Sequence, residues 1–393
     1  KLTGLLDIQA FIDTYIDAQD LDRLLLNARQ YPWVDVPYAV LQIEALQKLR
    51  IKAPAWFNTH LRFPASLSVE QASSERTAEF KAGLFSGQRM ADLSGGLGID
   101  TWAFSNRFER VDYVEAQLAY RAAAAHNFSV LGRQNIVVHQ SDAETFLRNT
   151  TEAFDLLYLD PSRRDAQARR VFRLEDCSPN VIALHGLLFD HTNTVLLKAA
   201  PMLDIREALR RLQTVRSVWV VSVLGEVREV LYQLGPLPCP TDSVPVEAVC
   251  FGANSLYFRF TAEEERMAAV GFSQPGDWLY DPDAALLKAG ALKSVAQRFG
   301  LHKLHANTHL YTSSQPIDGF PGRRFRLEQV VRYDKKAVET AVPDRRANVA
   351  VRQFPDRAED VRKRLGLKDG GDVYLFGVTL VDEQKRILVT RKA

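Results

Sequence analysis

A glycine-rich segment beside an acidic residue is the part of the sequence with the clearest chemical character. The letters MADLSGGLGID cover residues 90–100, and Asp92 ends a predicted strand there. The turn into the next helix contains Ser94, Gly96 and Gly98. Because glycine has no Cβ, a ligand can approach the backbone of such a turn closely, and the N–H groups of the following helix face it. A carboxylate at this place would repel a pyrophosphate but would attract a ligand that carries an ammonium group.

Three further acids follow the next predicted strands. Glu115 ends the second strand, and its spacing of 23 residues from Asp92 is close to the roughly 20 residues typical of an acid that binds ribose hydroxyls. Asp142 follows the third strand, where a side chain can reach an adenine edge, and Asp160 ends the fourth. The carboxyl ends of neighbouring parallel strands meet at one crevice, so we expect all four acids on the same rim. Each acid taken alone could also be a helix N-cap or a solvated loop residue.

The elements that must position these acids alternate between strands and helices. Residues 1–85 are predicted to be helical, and SVEQASSERTAEFKAGLF at residues 68–85 predicts a single helix that opens with a capping box of Ser68 and Gln71. Residues 86–262 alternate apolar, β-branched runs with helical segments, which is typical of a mostly parallel sheet covered by helices on both faces. The run near residue 255 has the pattern of a hairpin, so we expect the last strand to be antiparallel.

The residues after 262 have a different character. GFSQPGDWLYDP at residues 271–282 predicts a linker, and AALLKAGALKSVAQRFG at residues 284–300 predicts one helix that ends at a glycine. From FPGRRFRL at residue 320 onward, four strand-like runs and one helix predict a small α+β domain. The fold class is therefore α/β, with an N-terminal helical region and a small C-terminal α+β domain.

Charge is distributed unevenly along the 393 residues, although the net charge is only +2. Residues 320–393 contain 18 basic residues (Lys and Arg) and 11 acidic residues (Asp and Glu), which gives a net charge of +7. The rest of the chain contains 32 basic and 37 acidic residues, which gives a net charge of −5. A basic domain on a mildly acidic body indicates an anionic partner, although a solvated basic surface would have the same composition.

Composition argues against several other classes of protein. Cys177, Cys239 and Cys250 lack CxxC spacing, which indicates reduced thiols rather than disulfides or a zinc site. The histidines at residues 302–309 have no cysteine or acidic cluster with ligand spacing beside them, so we expect no metal. No stretch approaches the ~18 apolar residues of a membrane helix, and the first predicted helix carries aspartates where a signal peptide would be uncharged. We therefore expect a cytoplasmic protein that does not bind a membrane.

The run from Asp92 to Asp160 resembles the class I S-adenosylmethionine (SAM)-dependent methyltransferases, whose fold is a Rossmann-like sheet of seven strands with the last one antiparallel. DLSGGLG is similar to their first motif, with Ser94 where a glycine is usual. More narrowly, nearly the whole chain resembles a bacterial methyltransferase family with a C-terminal THUMP-like domain. The stretches that carry this resemblance are EQASSERTAEFKAG, DLSGGLGID, LDPSRR, LLKAAPMLDI, HANTHLYTS and FPGRRF.

The resemblance implies SAM as the cofactor, which Gly96 and Gly98 would admit to the turn that Ser94 opens. Asp92 is then expected at the methionyl end of SAM. By the same reasoning, Glu115 is expected at the ribose and Asp142 at the adenine.

The resemblance also implies a division into four parts and a nucleic acid partner. The parts are a helical region at 1–85, a methyltransferase domain at 86–262, a ferredoxin-like segment at 275–318 and a THUMP-like domain at 319–393. THUMP domains are RNA-binding appendages of tRNA-modifying enzymes. The expected partner is therefore RNA, either tRNA or rRNA.

Asp160, Pro161 and Arg163 are the expected catalytic residues. Many enzymes that methylate an exocyclic base amine have Asp or Asn, two prolines and an aromatic residue at this place, and the aromatic side chain stacks on the base. This chain has Ser162 and Arg163 instead of the second proline and the aromatic residue, which leaves methylation of a base amine in doubt. Arg163 could contact a phosphate or stack on a base through its guanidinium plane. Methylation of a pyrimidine carbon is disfavoured because no cysteine follows the corresponding later strand.

Other classes of function compete with this interpretation. A nucleotide-dependent oxidoreductase would need a third glycine in the turn, and Thr101 stands at that place. A non-catalytic RNA-binding protein with a degenerate methyltransferase core would fit the unusual DPSRR motif. A methyltransferase that acts on a small molecule or a protein also fits. The sequence best supports a SAM-dependent methyltransferase that acts on RNA, and it leaves the oligomeric state open.

Overall fold

The computed structural model describes residues 2–162 and 174–393, and the side chains of residues 2–6 lie outside this description. Arg163 also lies outside the described residues. The chain folds into two compact units. The first comprises Lys1–Ala199 with Gln233–Leu237, and the second comprises Ala200–Tyr232 with Pro238–Ala393. None of the helices within the described ranges is both long and apolar enough to cross a membrane.

The first unit begins with helices and continues with alternating strands and helices. In chain order the elements are α1 (Leu2–Tyr15), α2 (Leu21–Leu26), α3 (Val36–Lys52), α4 (Ser66–Gln71), α5 (Glu75–Gly83), β1 (Gly87–Asp92), α6 (Ile99–Phe104), β2 (Phe108–Val114), α7 (Leu118–Val130), β3 (Ile136–His139), α8 (Ala143–Asn149), β4 (Leu156–Leu159), α9 (His185–Phe189) and β5 (Val195–Ala199).

These strands form a parallel sheet in the order β3-β2-β1-β4-β5. The interior strand β4 has the sequence LLYL, and all four of its residues are buried. A continuous apolar run of this kind is typical of a parallel strand that is covered on both faces. The α/β fold class predicted from the sequence is therefore confirmed, and the carboxyl ends of these strands lie along one edge of the sheet.

The prediction of one helix over residues 68–85 is wrong, because the chain forms α4 and α5 with a break between them. The hydroxyl of Ser74 accepts a hydrogen bond from the backbone N–H of Thr77 and caps α5. Ser68 does not open a capping box, since its hydroxyl donates to the carbonyl of Ala65. Serine side chains that bind the backbone in this way compete with helix continuation. The break places Ser73 outside both helices.

All the remaining strands and helices begin in the second unit. In chain order they are α10 (Ile205–Leu212), β6 (Val215–Val223), β7 (Glu226–Leu234), β8 (Val246–Phe251), β9 (Ser255–Phe260), α11 (Ala262–Met267), β10 (Trp278–Pro282), α12 (Ala284–Ala289), α13 (Ser294–Arg298), β11 (His302–His305), β12 (Thr308–Ser313), β13 (Gly322–Arg332), α14 (Lys335–Ala341), β14 (Asn348–Arg352), α15 (Ala358–Leu365), β15 (Val373–Thr379) and β16 (Lys385–Lys392).

The described residues between Gly87 and Phe260 form nine strands, whereas the sequence predicted seven. The clearest addition is β7, which follows β6 after a two-residue turn. Leu224 and Gly225 both have positive φ angles in that turn, of 53° and 80°. Positive φ at both central residues matches the right-handed twist of a hairpin, but leucine gives no sequence signal for it. The last strand, β9, is antiparallel to β8 as expected.

A second sheet has the strand order β11-β12-β10-β13-β16-β15-β14. In the part of the chain that enters this sheet first, residues 271–300, two of the predictions from the sequence are wrong. Residues 271–282, predicted as a linker, include β10, whose Leu279 and Tyr280 are buried. The helix predicted at residues 284–300 is divided into α12 and α13, because Gly290 ends α12 in the left-handed conformation. Apolar residues of β15 and β16 contribute to hydrophobic clusters in this unit.

A buried carboxylate that forms ion pairs with two arginines joins three strands of the second sheet. Asp281 in β10 is only 2% exposed. Its Oδ2 accepts a hydrogen bond from Arg323 Nη2 at 2.6 Å, and its Oδ1 accepts one from Arg352 Nη2 at 2.6 Å. Both guanidinium groups would lose their partner if this carboxylate were removed.

We expect Asp281→Ala to lower the free energy of unfolding by about 2–3 kcal/mol, because hydrogen bonds to charged groups in a shielded site contribute strongly. Asp318→Ala provides a matched control. Asp318 also pairs with an arginine, Arg324, but its side chain is 97% exposed, so the expected loss is below about 0.5 kcal/mol. Urea unfolding followed by circular dichroism measures both values, and equal losses would contradict this account.

Candidate functional site

The four acids selected from the sequence lie around one cavity of the first unit. Asp92, Glu115, Asp142 and Asp160 all line it, and its volume is about 1410 Å³. The structure thus brings together acids that follow four successive strands. Pro161 also lines the cavity. A volume above the ~300–1,000 Å³ typical of small-molecule sites leaves space for a cofactor and part of a second substrate.

Two of the three glycines in the glycine turn, Gly96 and Gly98, are required for different structural reasons. Gly98 has φ 84°, and a Cβ added there would lie 2.5 Å from the ring of Phe128. Gly96 has φ 54°, but a Cβ added there would meet only the carbonyl oxygen of Ser94, at 3.8 Å. Packing within the protein therefore requires glycine at position 98, whereas the space beside position 96 is open.

Asp92 is buried beneath this turn and is only 1% exposed. Its Oδ1 accepts a hydrogen bond from the backbone N–H of Ser94 at 3.1 Å, and its Oδ2 accepts one from Thr101 Oγ1 at 2.6 Å. Burial raises the pKa of Asp92 to about 7, and the nearby charges of Asp100 and Asp160 raise it further, while these two hydrogen bonds oppose the change. The carboxylate therefore holds the turn in place and sits close to its neutralisation point at physiological pH.

Ser94 connects the glycine turn to the strand end that carries Asp160. Its Oγ accepts a hydrogen bond from the backbone N–H of Asp160 at 2.6 Å. The same oxygen lies 3.4 Å from Oδ1 of Asp92. A glycine at position 94 could not make this connection, so the departure from the usual motif has a structural purpose.

Glu115 and Asp142 are held by the backbone in different ways. Glu115 Oε2 accepts a hydrogen bond from the N–H of Gly96 at 3.0 Å, and its Oε1 accepts one from Gln117 at 2.7 Å. Both oxygens of Asp142 accept hydrogen bonds from Thr145, at 2.8 Å each, and cap α8. These hydrogen bonds lower the pKa of Asp142. Asp142 is thus a helix N-cap as well as a residue of the cavity wall. A carboxylate oxygen has two acceptor positions, so both residues keep capacity for a ligand.

A polar network that sequence reasoning missed lies beside these acids. Lys81 in α5 is fully buried, and its Nζ lies 3.1 Å from Ser73 Oγ and 3.2 Å from Asp100 Oδ1. Asp100 Oδ2 accepts hydrogen bonds from Ser73 at 2.8 Å and from Tyr158 at 2.7 Å. Burial raises the pKa of Asp100, but the charges of Lys81 and Lys198 and these hydrogen bonds outweigh it, so the net pKa is lowered. Asp100 is therefore ionised in the folded protein.

Lys198 extends this network to the predicted catalytic acid. It lies in β5, and its Nζ donates to Asp160 Oδ2 at 2.6 Å. Its Nζ also lies 3.3 Å from Ser73 Oγ. The side chain of Lys198 is 12% exposed, whereas that of Asp160 is 39% exposed. The carboxylate is therefore accessible from solvent while its cationic partner is shielded.

One of these missed residues had a sequence signal. Asp100 belongs to the same glycine-rich segment and lies in the first turn of α6. Lys81 has no such sequence signal, because a lysine in an amphipathic helix is usually solvated. Its partner Ser73 depends on the unpredicted break between α4 and α5. Among the described residues, no group of three His, Cys, Asp or Glu side chains is arranged to hold a metal ion.

Comparison with known proteins matches the chain to methyltransferases and to two domain families. Residues 278–321 match a ferredoxin-like domain family, and residues 322–392 match a THUMP domain-like family. A candidate methyltransferase from Porphyromonas gingivalis W83, known from a crystal structure, is 34% identical in sequence to this chain. The two structures align with a TM-score of 0.88 over 98% of this chain and 97% of that one. An uncharacterised SAM-dependent methyltransferase from two strains of Mycobacterium tuberculosis is 23% identical over 307 residues, which cover 77% of this chain and 80% of that protein.

The fold and the site therefore define a Rossmann-like methyltransferase. The chain belongs to the family of SAM-dependent methyltransferases with a C-terminal THUMP-like domain. It is an enzyme whose cofactor is SAM, as the sequence predicted.

The raised pKa of Asp92 predicts a pH-dependent contribution to stability. An unfolded aspartate titrates near ~3.9, whereas Asp92 in the folded protein has a pKa of about 7. Between these values the native state keeps a proton that the unfolded state has lost, so stability falls as pH rises, by at most about 1.4 kcal/mol per pH unit. We expect the free energy of unfolding of the wild type, relative to Asp92→Asn, to decrease from about pH 4 to about pH 7.

Asp142→Asn is the control for this measurement. The pKa of Asp142 is lowered, so its contribution is nearly complete about one pH unit above the unfolded value of ~3.9 and should change little between about pH 5 and pH 7. Urea unfolding at a series of pH values gives all three curves. Parallel curves for the wild type and Asp92→Asn would show that Asp92 is ionised throughout.

Proposed function

We propose that this protein transfers the methyl group of SAM to RNA, with tRNA or rRNA as the substrate class. The observation that carries the proposal is the single cavity where the glycine turn, Glu115 and Asp160 meet. SAM supplies an electrophilic methyl group on a sulfonium. The chain's own task is to hold the two reactants in line and to exclude water.

The residues around the cavity fit an adenosyl amino acid. The open space beside Gly96 admits a ligand close to the turn. Glu115, held by the N–H groups of Gly96 and Gln117, presents carboxylate oxygens suited to two ribose hydroxyls. We assign Asp142 to the adenine edge. Asp92 would act on the ammonium of the methionyl end through its charge and through the turn that it holds, because its carboxylate is buried beneath that turn.

The acceptor end of the cavity is assigned to Asp160, Pro161 and Arg163. Ser94 holds the backbone of Asp160 against the glycine turn. This contact supports a place for Asp160 beside the methyl group. Arg163 lies outside the described residues, so its assignment rests on the sequence alone.

The C-terminal residues support RNA as the partner. Arg326 of β13 and Arg391 of β16 are direct cross-strand neighbours, and both are exposed. Like charges in such a pair are destabilising unless an anion offsets them. Glu328 pairs with Arg391 and offsets part of this repulsion. The THUMP-like match over these residues favours an RNA phosphate as the remaining partner. We retain residues 1–85, 86–262, 275–318 and 319–393 as the proposed domain division.

We expect Gly96→Ala to weaken SAM binding at least tenfold in calorimetry, because its Cβ would enter the space assigned to the ligand. Gly132→Ala is a matched control. Gly132 also has a positive φ, of 68°, and its added Cβ would meet nothing within 4 Å. Both variants should lose a similar ~1–2 kcal/mol of stability. Unchanged SAM affinity in Gly96→Ala would remove the turn from the cofactor site.

We expect the double variant Arg326→Ala, Arg391→Ala to bind RNA more weakly and to leave SAM affinity unchanged. The slope of log K against log salt concentration should fall by about 0.7–0.9 for each lost phosphate contact. Filter binding at several salt concentrations measures this. Arg266→Ala is the control, since Arg266 is exposed and ion-paired but lies before the THUMP-like residues. If the control and the double variant behave alike, the β13–β16 face is not the RNA-binding surface.

A further inference from the structure

Asp160, the carboxylate that we assign to the methyl acceptor, has a cationic partner within the first unit. Lys198 Nζ lies 2.6 Å from Asp160 Oδ2, and its second contact with Ser73 Oγ, at 3.3 Å, holds it in place. Because the side chain of Lys198 is largely shielded from solvent, its positive charge acts through a medium of low dielectric constant and is felt strongly nearby. Any acceptor that reaches Asp160 meets this charge as well.

The sign of that charge discriminates between acceptor atoms. An amine nitrogen becomes more positive as it bonds to the methyl group, so a neighbouring ammonium would oppose the reaction. A hydroxyl oxygen becomes more negative as its proton leaves, so the same ammonium would favour the reaction. The carboxylate of Asp160 is suited to receive that proton as a general base.

The residues after Asp160 agree with an oxygen acceptor. Ser162 replaces the second proline of the amine-methylating motif, and its backbone N–H and carbonyl are both hydrogen-bonded to Ser178, at 2.7 Å and 3.2 Å. A base that presents its amine normally stacks on the aromatic residue of that motif, which this chain lacks. A sugar hydroxyl needs no such stacking surface.

We propose that the methyl acceptor is a ribose 2′-hydroxyl of RNA, with Asp160 as general base and Lys198 as the group that stabilises the developing negative charge. This inference rests on the proposed function, and it specifies the acceptor atom. The hydroxyl oxygen forms a bond to the methyl carbon while the carbon–sulfur bond breaks, and its electron pair stays on sulfur. The hydroxyl proton passes to the Asp160 carboxylate and then to solvent, so charge and atoms balance.

The test uses the full chain, SAM with a labelled methyl group, and RNA extracted from cells that lack this protein. The labelled RNA is hydrolysed in alkali, which requires a free 2′-hydroxyl for cleavage. A 2′-O-methyl group therefore leaves an alkali-stable dinucleotide, whereas a methylated base is released in a mononucleotide. Mass spectrometry of the nucleosides identifies the product independently.

The outcomes separate this inference from the function on which it rests. Label in alkali-stable dinucleotides supports both. Label in mononucleotides overturns the hydroxyl acceptor and leaves RNA methylation standing. Absence of label in RNA, with SAM bound in calorimetry, overturns both and favours a protein or a small molecule as the acceptor.

Variants of the ion pair test the roles of the two residues. We expect Asp160→Asn to lower kcat by about 100- to 10,000-fold, because an amide cannot take the proton. An amine-methylating enzyme would retain most of its activity, since an asparagine oxygen still accepts a hydrogen bond. Lys198→Met should lower kcat about 100-fold and leave the Kd of SAM unchanged, and Lys198→Arg should restore part of the rate.

Lys288→Met is the control for lysine removal. Lys288 is half-buried and donates to the carbonyl of Leu203, as part of the second unit. The kcat of the Lys288→Met variant should equal that of the wild type. If Lys198→Met keeps full activity, the charge of Lys198 takes no part in the reaction and the proposed mechanism is wrong.

Discussion

The parallel arrangement of β1 to β5 is the constraint on which the rest of the structure depends. Neighbouring strands that run the same way end at the same edge, so residues distant in sequence share one cavity. Hydrogen bonds then join these ends to one another. Glu115 accepts from Gly96, and the backbone of Asp160 donates to Ser94. The glycine turn and the end of β4 are therefore joined in a single connected structure.

Burial decides what each acid can do at this edge. Asp92 is covered by the turn and lies near neutrality at physiological pH, whereas Asp100 is kept ionised by its lysine partners. Asp160 is partly exposed and has a shielded cation beside it. Residues of the same chemical type thus serve as a support for the turn, as the partner of a buried lysine and, in our proposal, as the general base. The difference arises from their surroundings and not from their sequence context.

Local patterns were sufficient to predict the parallel strands β1 to β5, the glycine turn and the convergence of four acids. The apolar run of β4 and the spacing from Asp92 to Glu115 depend only on nearby residues, and both have clear signals. The role of Ser73 could not be predicted, because it requires a helix break that a serine cap creates. The pairing of Lys198 with Asp160 crosses 38 residues. It becomes visible only once two strand ends lie side by side.

The most direct test of the central claim is a crystal structure of the protein with S-adenosylhomocysteine. We predict that the ribose hydroxyls lie within hydrogen-bond distance of Glu115 and that the amino acid end lies beside the turn at Gly96. We also predict that the sulfur lies on the side of the cavity that faces Asp160. An adenosyl group bound elsewhere, or with its sulfur directed away from Asp160, would contradict the assignment of this cavity as the site of methyl transfer.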